Sequence, residues 1–559
     1  MLPRADQTPE MVRFNVENVL LGETERVRII KRKYAYARGN EYDHLKTDWS
    51  GRSADQYETI SPKVLVPAGF DAPGNVPSVA GRRPTAPSRL CKTIVERFTG
   101  LVFSEQRRPR VMVEGDSDTE ALLLAAVDQA RFWSRCREAR TLGGGCGAVA
   151  VSAHLRNGRF EVDVHPSFQC VPRWKDRRIF ELRALIRSYE YVEEEDEIDS
   201  KTRRPTGRRV NRSYLYRRYM DEAIDVVFKP WPMDAGPPLW DEGQVAEGVE
   251  HKLGVCPAVW VPNLPNSDHF DGDADCDGAF QTFDAVDRLT AQINKALLVN
   301  LDPTAVITVD EAFLEQLGST LAKGSDNAVK LPKGSTFDYK EIGGAGIMAG
   351  FELAKMLKQQ ALDACRAILV DPEKISGAAQ SAKAIEYVFA PMLEKADDLR
   401  SQYGEGMVVP LLDRFIRLVN LVLGAGVAEA REVDPAVIDL PPRVIDGVPQ
   451  RHRVGTGGRV SLKWGPYFSA TSSDQQADVA SAVQAKMGGL VDAEHAAQKI
   501  APHFGVVDVG GMLEKIAGER EAEMGMLPGA PEFEFGPDGE PLPPEDGGAP
   551  PQGGPPQGG

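Results

Sequence analysis

The stretch from Asp273 to Asp284 has the residue types and the spacing of a calcium-binding loop. Its acidic residues alternate and are followed by a glycine, which gives D-x-D-x-D-G, with Gln281 at position nine and Asp284 at position twelve. A calcium loop places oxygen ligands at alternate positions and needs a glycine where the chain turns sharply. The spacing therefore predicts a Ca²⁺ ligand set of four carboxylates: Asp273, Asp275, Asp277 and Asp284.

Two departures from the calcium pattern leave a second interpretation open. Position twelve is Asp284 and not the longer glutamate that binds through both oxygens, and no helix is predicted before the loop. The alternative is a solvated acidic turn whose charge stabilises the N-terminus of the helix that follows. Neither interpretation requires a cofactor for the chain as a whole.

The glycine-rich segment around Cys146 resembles two catalytic motifs and fits neither. A phosphate-binding loop follows a strand and begins a helix, whereas GGGCG here follows a helical pattern and precedes a strand pattern. A nucleophile elbow built on Cys146 would need glycine at position 148, where the sequence has Ala148. The segment is therefore predicted to be a helix-to-strand turn that needs positive φ.

The remaining reactive residue types do not form an enzyme signature. The eight histidines include no HExxH pair, the ATP-binding loop GxxxxGK[ST] is missing from the sequence, and the seven cysteines are scattered without CxxC spacing. We expect reduced, mostly buried thiols and no enzymatic activity. A hydrolase or transferase that uses Cys146 or a His–acid pair remains as the minor alternative.

Composition sets broad limits on the class of protein. The chain has 559 residues, of which 42% are hydrophobic and 26% charged, as in a soluble globular protein of several domains. It contains no apolar run of membrane-spanning length, and its N-terminus lacks the apolar core of a signal peptide, so we expect it to be made and kept in the cytoplasm. A net charge of −16 argues against a broad basic surface that grips nucleic acid, but not against a surface past which DNA slides.

Three apolar stripes with helical spacing follow the acidic loop. Apolar residues recur at intervals of mostly three and four: Phe283, Val286, Leu289, Ile293 and Leu297; then Phe351, Ala354, Leu357, Ala361, Cys365 and Ile368; then Ile385, Phe389, Met392, Ala396, Leu399 and Tyr403. Each stripe must be covered by another helix, from this chain or from a second copy. Pro391 falls inside the third helix, where it removes a backbone hydrogen bond and should bend the axis.

The chain before the acidic loop mixes helices and strands. A helix capped by Ser88 and stopped by Gly100 is predicted, followed by a helical run over 118–142. Asn157-Gly158 between two alternating runs predicts a β-hairpin. Two long strands, 181–191 and 213–228, flank an acidic and then a basic run, which indicates a hairpin with a charged tip.

Four segments in a fixed order resemble one family. They are HKLGVCPAVWVPN (251–263), DAVDRLTAQINKALL (284–298), SGAAQSAKAIEYVFAPMLEKADDL (376–399) and VSLKWGPYFSATSSDQQADVASAVQAKMGGLVDAEHAAQKI (460–500). Together they resemble the portal proteins, or head-to-tail connectors, of tailed bacteriophages and phage-like particles. The resemblance covers about residues 85–520, most of the chain.

The resemblance implies an α+β portal-type subunit that assembles as a ring. Its parts would be an N-terminal arm (1–60), an α/β wing (61–278), a first stem helix (279–301), a clip (302–345), a second stem helix (346–370), a tunnel loop (371–381), a kinked tunnel helix (382–424), wing return strands (425–470), crown helices (471–526) and a disordered Pro/Gly-rich tail (527–559). In the tunnel loop, the residues that face the DNA channel would be Lys374, Ser376, Gly377 and Gln380.

The function implied by the resemblance is structural. A ring of twelve copies at one capsid vertex would be the channel for genome packaging and ejection. Its partners would be the large terminase subunit, the head-tail adaptor, the major capsid and scaffold proteins, and double-stranded DNA that passes without sequence-specific contacts; no membrane is involved. Twelve copies would carry a charge of about −200, which repels the phosphate backbone and favours sliding. Another head or connector protein without a channel is the alternative.

Overall fold

The structure is a computed structural model, and it describes the following residues: 24–45, 83–178, 180–198, 205–238, 240, 242–267, 269–301, 304–308, 336–340, 344–369, 382–424, 431–445, 448–455, 458–467, 472–501 and 509–525. The chain forms two compact units. The first comprises 1–378 and 386–467, and the second comprises 379–385 and 468–559. Helices and sheets are mixed, as expected for an α+β protein.

Among the described residues, the first unit begins with the helices α1 (Glu25–Arg38), α2 (Leu90–Phe103), α3 (Ser117–Gln129) and α4 (Phe132–Cys146). The side chain of Thr24 caps α1 by accepting from Val27 N, and Gly39 ends it at φ 75°. Tyr36 and Ala37 of α1 belong to the main hydrophobic core. The described part of the predicted arm therefore lies against its own chain.

Two helix boundaries differ from the sequence-based prediction. Arg89, at φ 51°, precedes α2 without a side-chain cap, whereas the predicted cap, Ser88, donates its backbone N–H to Asp287 Oδ1 at 2.8 Å. The helix passes through Gly100, because a glycine inside a helix weakens it but does not end it when both neighbouring turns are buried. The run over 118–142 is two helices, since Arg131 adopts φ 48° between them.

A small antiparallel sheet follows α4. Its order is β10–β2–β3, formed by β2 (Ala148–Arg156), β3 (Arg159–Pro166) and β10 (Ala258–Pro262). Asn157 and Gly158 join β2 to β3 at φ 51° and 77°, as a two-residue turn with positive φ at both positions requires. The predicted hairpin is confirmed. Strand β1 (Arg110–Val113) pairs separately with β17 (Val460–Lys463).

A larger sheet contains β4 (Cys170–Asp176), β5 (Glu181–Ile198), β6 (Pro205–Asp221), β7 (Ile224–Phe228) and β9 (Val245–Glu250) in that order, and β8 (Trp231–Pro232) pairs with β6. The single strand predicted over 213–228 is wrong. Asp221 accepts hydrogen bonds from the backbone N–H groups of Ala223 and Ile224, at 2.8 and 2.9 Å, and these bonds turn the chain between β6 and β7.

The predicted stem, clip and tunnel region contains two hydrogen-bonded strands between long helices. Helix α5 (Phe280–Leu301) leads to β11 (Thr304–Thr308), which pairs antiparallel with β12 (Thr336–Lys340), and α6 (Gly344–Ala364) follows. Helix α7 (Ala382–Tyr403) continues through a π-helical turn (Gly404–Val408) into α8 (Val409–Val422). Short strand pairs then link β13 (Arg431–Glu432) with β16 (Arg453–Val454), and β14 (Arg443–Ile445) with β15 (Val448–Gln450).

The second unit contributes three helices: α9 (Ser472–Met487), α10 (Ala493–Ile500) and α11 (Val509–Gly525). Asp492 caps α10 by accepting from His495 N at 2.7 Å. In the part of the chain that the structure describes, no helix combines the length and the apolar content that crossing a membrane would need.

Candidate functional site: the junction around Asn263

Asn263 is the last residue of the HKLGVCPAVWVPN segment and lies at the end of β10, fully buried. Its side-chain Nδ2 donates to the Asp273 carbonyl at 3.0 Å and to Asp275 Oδ1 at 3.1 Å. Its Oδ1 accepts from the Tyr403 hydroxyl at 3.0 Å. One amide thus joins β10 to the acidic loop that follows it and to the end of α7, which is 140 positions away in sequence.

A buried ion pair completes this junction. Arg140 of α4 donates through Nη2 to both carboxylate oxygens of Asp275, at 3.0 and 2.9 Å, and both side chains are fully buried. The Arg140 guanidinium also lies 5.3 Å from the centroid of the Tyr403 ring. Because a buried charge is stable only with a charged partner, Arg140 and Asp275 depend on each other.

The three consecutive glycines of α4 allow the junction to close. A Cβ at Gly143 would overlap the Tyr403 hydroxyl, and one at Gly144 would overlap the side chains of Arg140 and Asp275. A Cβ at Gly145 would lie 2.6 Å from the Cβ of Ala37 in α1. Gly147, at φ 91°, ends the helix, so the predicted positive-φ turn is confirmed at that residue. The other glycines serve close packing.

Lys395 extends the junction to the end of α6. Its Nζ donates to the Asp275 carbonyl at 2.8 Å and to the Cys365 carbonyl at 3.0 Å, and it lies 4.5 Å from the centroid of the Phe98 ring. The buried face of α7 carries Met392, Ala396, Leu399 and Tyr403, four members of the predicted third stripe. The same face therefore supplies both apolar packing and the polar contacts of the junction.

The predicted calcium ligands bind groups of the protein and do not converge on one point. Asp273 accepts from Asn266, Asp275 pairs with Arg140, and Asp277 pairs with Lys33 of α1 at 2.6 Å. Asp284 accepts from the hydroxyls of Tyr36 and Tyr42, at 2.7 and 2.9 Å. Among the described residues, no group of three or more histidine, cysteine or acidic side chains is placed to hold a metal ion. Calcium binding at this loop stays a prediction, and binding would displace these contacts.

Helices α5 and α6 form an antiparallel pair. Their connecting strands bring residues 304 and 340 opposite each other, and a Cβ at Gly350 would lie 3.2 Å from Ile293 Cγ1. Helix α5 begins one residue after the predicted stem helix, whereas α6 covers 344–364 and stops short of residue 370. Arg366, at φ 52°, interrupts the helix geometry there.

Helix α6 carries large apolar side chains that the described part of this chain leaves exposed. It carries four large exposed side chains: Met348 (63% exposed), Phe351 (46%), Leu353 (43%) and Met356 (59%). Phe351 of the predicted stripe is exposed in the single chain, because α5 covers the side of α6 that contains Ile347 and Gly350, so its cover by a second copy stays a prediction. Ala361 and Cys365 of the same stripe are buried as predicted.

Pro391 lies inside α7, as predicted, and it has no backbone N–H to donate within the helix. The π-helical turn Gly404–Val408, which the sequence did not reveal, follows Tyr403 directly. A Cβ at Gly404 would lie 2.9 Å from the Trp464 ring, so glycine lets that indole contact the helix. The predicted channel residues Lys374, Ser376, Gly377 and Gln380 lie outside the described residues.

The candidate nucleophile has an unfavourable environment. Cys146 is buried, and burial raises the pKa of its thiol well above the usual range, so the thiol stays protonated. All seven cysteines are free and buried, in agreement with the prediction of reduced thiols.

A His–acid pair does occur, but inside the protein, where His154 Nδ1 lies 3.5 Å from Asp225 Oδ2. His154 and His165 flank Ser152, whose Oγ is 2.7 Å from His154 Nε2 and 2.8 Å from His165 Nε2. Ser152 is fully buried, which leaves no room for a substrate at its hydroxyl.

Sequence reasoning missed the partners at the junction. The sequence patterns place Gly143–Gly145 only in a turn and Tyr403 only in an apolar stripe. Two signals in the sequence could have indicated the junction. Three adjacent glycines in a helical pattern indicate close approach of other chain segments. A tyrosine that ends a buried stripe needs a partner for its hydroxyl. The identity of those partners depends on the fold.

Two comparisons with known proteins were negative: no family model matches the chain, and no curated protein matches it.

Proposed function

We propose that this chain is a portal-type ring subunit: the helix pair α5/α6 and helix α7 pack against neighbouring copies around a DNA channel, and the β11/β12 hairpin belongs to the surface that receives a packaging ATPase and later a tail adaptor. The proposal rests on the sequence resemblance and on one structural observation. That observation is the set of large apolar side chains on α6 that the described residues leave exposed.

The apolar face of α6 is the feature that most needs a partner. Four large apolar side chains, Met348, Phe351, Leu353 and Met356, are between 43% and 63% exposed on one helix. Burying a fully exposed side chain of this size is worth roughly 1.5–3 kcal/mol, and about half of that remains to be gained at each of these four, which favours a partner surface. A ring covers this face by repetition, since each copy offers the same surfaces to its two neighbours.

Three further features support a portal-type subunit. Helix α7 carries two exposed apolar residues, Tyr387 (83%) and Val388 (63%), near the segment predicted to face the channel. The net charge of −16 per copy is suited to a conduit that does not hold phosphate. The two antiparallel strands between α5 and α6 match the small strand-bearing insert expected of a clip.

Assembly tests the proposal directly. We expect the purified chain, at concentrations that permit assembly, to form rings with a central hole under negative stain. Met356→Glu should shift the population to monomers, because it places a charge in the interface. Gln106→Glu adds the same charge at an exposed polar position outside α5, α6 and α7 and should leave the rings intact. Discrete oligomers without a hole would contradict the channel and favour the alternative, a connector component that lacks one.

DNA passage needs a separate test. Deleting residues 371–380, the predicted tunnel loop, should block DNA packaging in an assembly assay while rings still form. Unchanged packaging by the deletion variant would show that the loop assignment is wrong.

A further inference from the structure

A cleft of about 720 Å³ opens between one face of the larger sheet and the β3 and α4 segments of the first unit. Its walls include the apolar or aromatic side chains Val162, Val164, Tyr191, Tyr216 and Val249. Four arginines also line it: Arg135, Arg156, Arg187 and Arg218. The cleft is separate from the Asn263 junction and from the exposed face of α6.

Three of the four arginines are neutralised by carboxylates. Arg135 pairs with Glu138 and Arg156 with Glu161, each at 2.8 Å. Arg218 is nearly buried and bonds Asp225 at 2.8 Å and Asp163 at 3.0 Å. Arg187 is the exception: among the described residues, no carboxylate lies within ion-pairing distance of its guanidinium.

Neutral groups hold Arg187 in a fixed orientation. Its Nε and Nη2 donate to Gln169 Oε1 at 3.2 and 3.0 Å, and its Nη1 donates to His165 Nδ1 at 3.0 Å. The guanidinium also lies over the rings of Tyr189 and Tyr216, 4.9 and 5.6 Å from their centroids. A guanidinium has five N–H groups, so two of them are not used by these contacts.

The residues behind Arg187 explain why His165 accepts its hydrogen bond. Arginine can only donate, so His165 Nδ1 has no proton and Nε2–H donates to Ser152 Oγ. Arg218 donates in the same way to His154 Nε2 at 3.2 Å, so that nitrogen also has no proton. The Ser152 hydroxyl therefore donates its own proton to His154 Nε2. Burial, together with the nearby arginines, lowers the pKa of His165 well below its usual value. The imidazole therefore stays neutral and cannot repel Arg187.

We propose that this cleft binds a small organic anion, whose carboxylate or phosphate oxygens accept the two unused N–H groups of Arg187 and whose apolar part lies against Tyr191 and Tyr216. A planar guanidinium held at both ends of its fork is suited to an oxyanion. The half-buried tyrosine rings and the valines of the walls favour an aromatic or aliphatic group beside that oxyanion over a bare inorganic ion.

Titration of the full-length chain with three probes tests the proposal: sodium benzoate, sodium acetate and sodium phosphate, each against sodium chloride at equal ionic strength. We expect a saturable rise in the thermal unfolding midpoint that is largest for benzoate. If the binding oxygens belong to a phosphate ester, inorganic phosphate should exceed acetate. A chain that responds to none of the three probes beyond chloride would overturn the proposal.

Substitutions identify the binding group. Arg187→Gln should weaken binding at least tenfold, and Arg187→Lys should weaken it less, since it keeps the charge but loses the fork. Arg183→Gln is the matched control, because Arg183 is exposed on the same strand and does not line the cleft. Equal binding by the wild type and Arg187→Gln would contradict the assignment.

A measurement on the wild-type chain tests the same contact without depending on whether a variant folds. Phenylglyoxal modifies accessible arginines, and benzoate should protect Arg187 from it while Arg183 stays reactive, as read by peptide mass spectrometry. Equal modification of Arg187 with and without saturating benzoate would also overturn the proposal.

Discussion

The Tyr403 hydroxyl donates a 3.0 Å hydrogen bond to Asn263 Oδ1, and this bond joins the last residue of α7 to the end of β10. Both side chains are fully buried. Burial, despite the nearby Arg140, raises the pKa of Tyr403 far above its ordinary value, so the hydroxyl keeps its proton and always donates. Helix α7, which we propose to line a channel, is therefore tied to the small sheet at the residue just before its π-helical turn.

The contact between Gly143 and Tyr403 should appear as a coupling energy. Tyr403→Phe should cost about 1–3 kcal/mol of unfolding free energy, because Asn263 Oδ1 loses its partner inside the core. Gly143→Ala should also destabilise, although alanine is the better helix former, because its Cβ overlaps the Tyr403 hydroxyl. The double variant should lose less than the sum of the two single variants, as urea unfolding would measure. Strict additivity would contradict the close contact.

Breaking the buried ion pair should cost far more than breaking an exposed one. Asp275→Asn leaves Arg140 charged and buried, which should lower the unfolding free energy by roughly 3–5 kcal/mol. Arg135→Ala removes a pair with Glu138 that is about half exposed and should cost no more than about 1 kcal/mol. Similar losses for the two variants in chemical denaturation would show that Arg140 and Asp275 are solvated.

The stability of the first unit should fall as the pH falls through the mildly acidic range. Burial lowers the pKa of His154 from 6.5 to about 3. Between these values the unfolded chain binds a proton that the folded chain does not, so acid favours unfolding. Each such histidine contributes a slope of about 1.4 kcal/mol per pH unit. Urea unfolding between pH 4.5 and 6 measures it.

The variant His154→Gln isolates that contribution. It should reduce the slope of unfolding free energy against pH by the share of one bound proton, about 1.4 kcal/mol per pH unit, whatever its effect on stability at pH 7. Asp225 adds a loss only at lower pH: burial opposes its ionisation, but Arg218 and His154 lower its pKa to about 2. An unchanged slope between pH 4.5 and 6 would mean that His154 is charged in the fold.

Calorimetry decides the calcium hypothesis at Asp273–Asp284. Binding would require Asp275 to leave Arg140 and Asp277 to leave Lys33, so the affinity for calcium should be weak, with a dissociation constant on the order of millimolar. Asp277→Asn should remove the heat of binding. No heat at millimolar calcium would end the hypothesis. In that case the turn would serve to hold α1 and α4 against the start of α5.

Local signals in the sequence predicted several elements well, because their causes are local. Asn157-Gly158 determines a hairpin through the φ values that these two residues tolerate. The third apolar stripe predicted that Met392, Ala396, Leu399 and Tyr403 share a buried face, since helical spacing alone places them together. The long strand over 213–228 failed for a reason that is almost local: one carboxylate, Asp221, turns the chain.

The tertiary structure decided which residues meet. The sequence by itself determined that Asp275 is acidic, that Arg140 follows a helical pattern and that Asn263 ends a buried strand. It could not pair them, because Arg140 and Asp275 are 135 positions apart and neither has a neighbour in sequence that reveals its partner. The same holds for Arg187: among the described residues no carboxylate pairs with its guanidinium, and charge patterns along the chain do not predict this. The partner of a buried polar group is the group that the fold places beside it. In the low dielectric of the interior, leaving such a group without that partner costs much free energy.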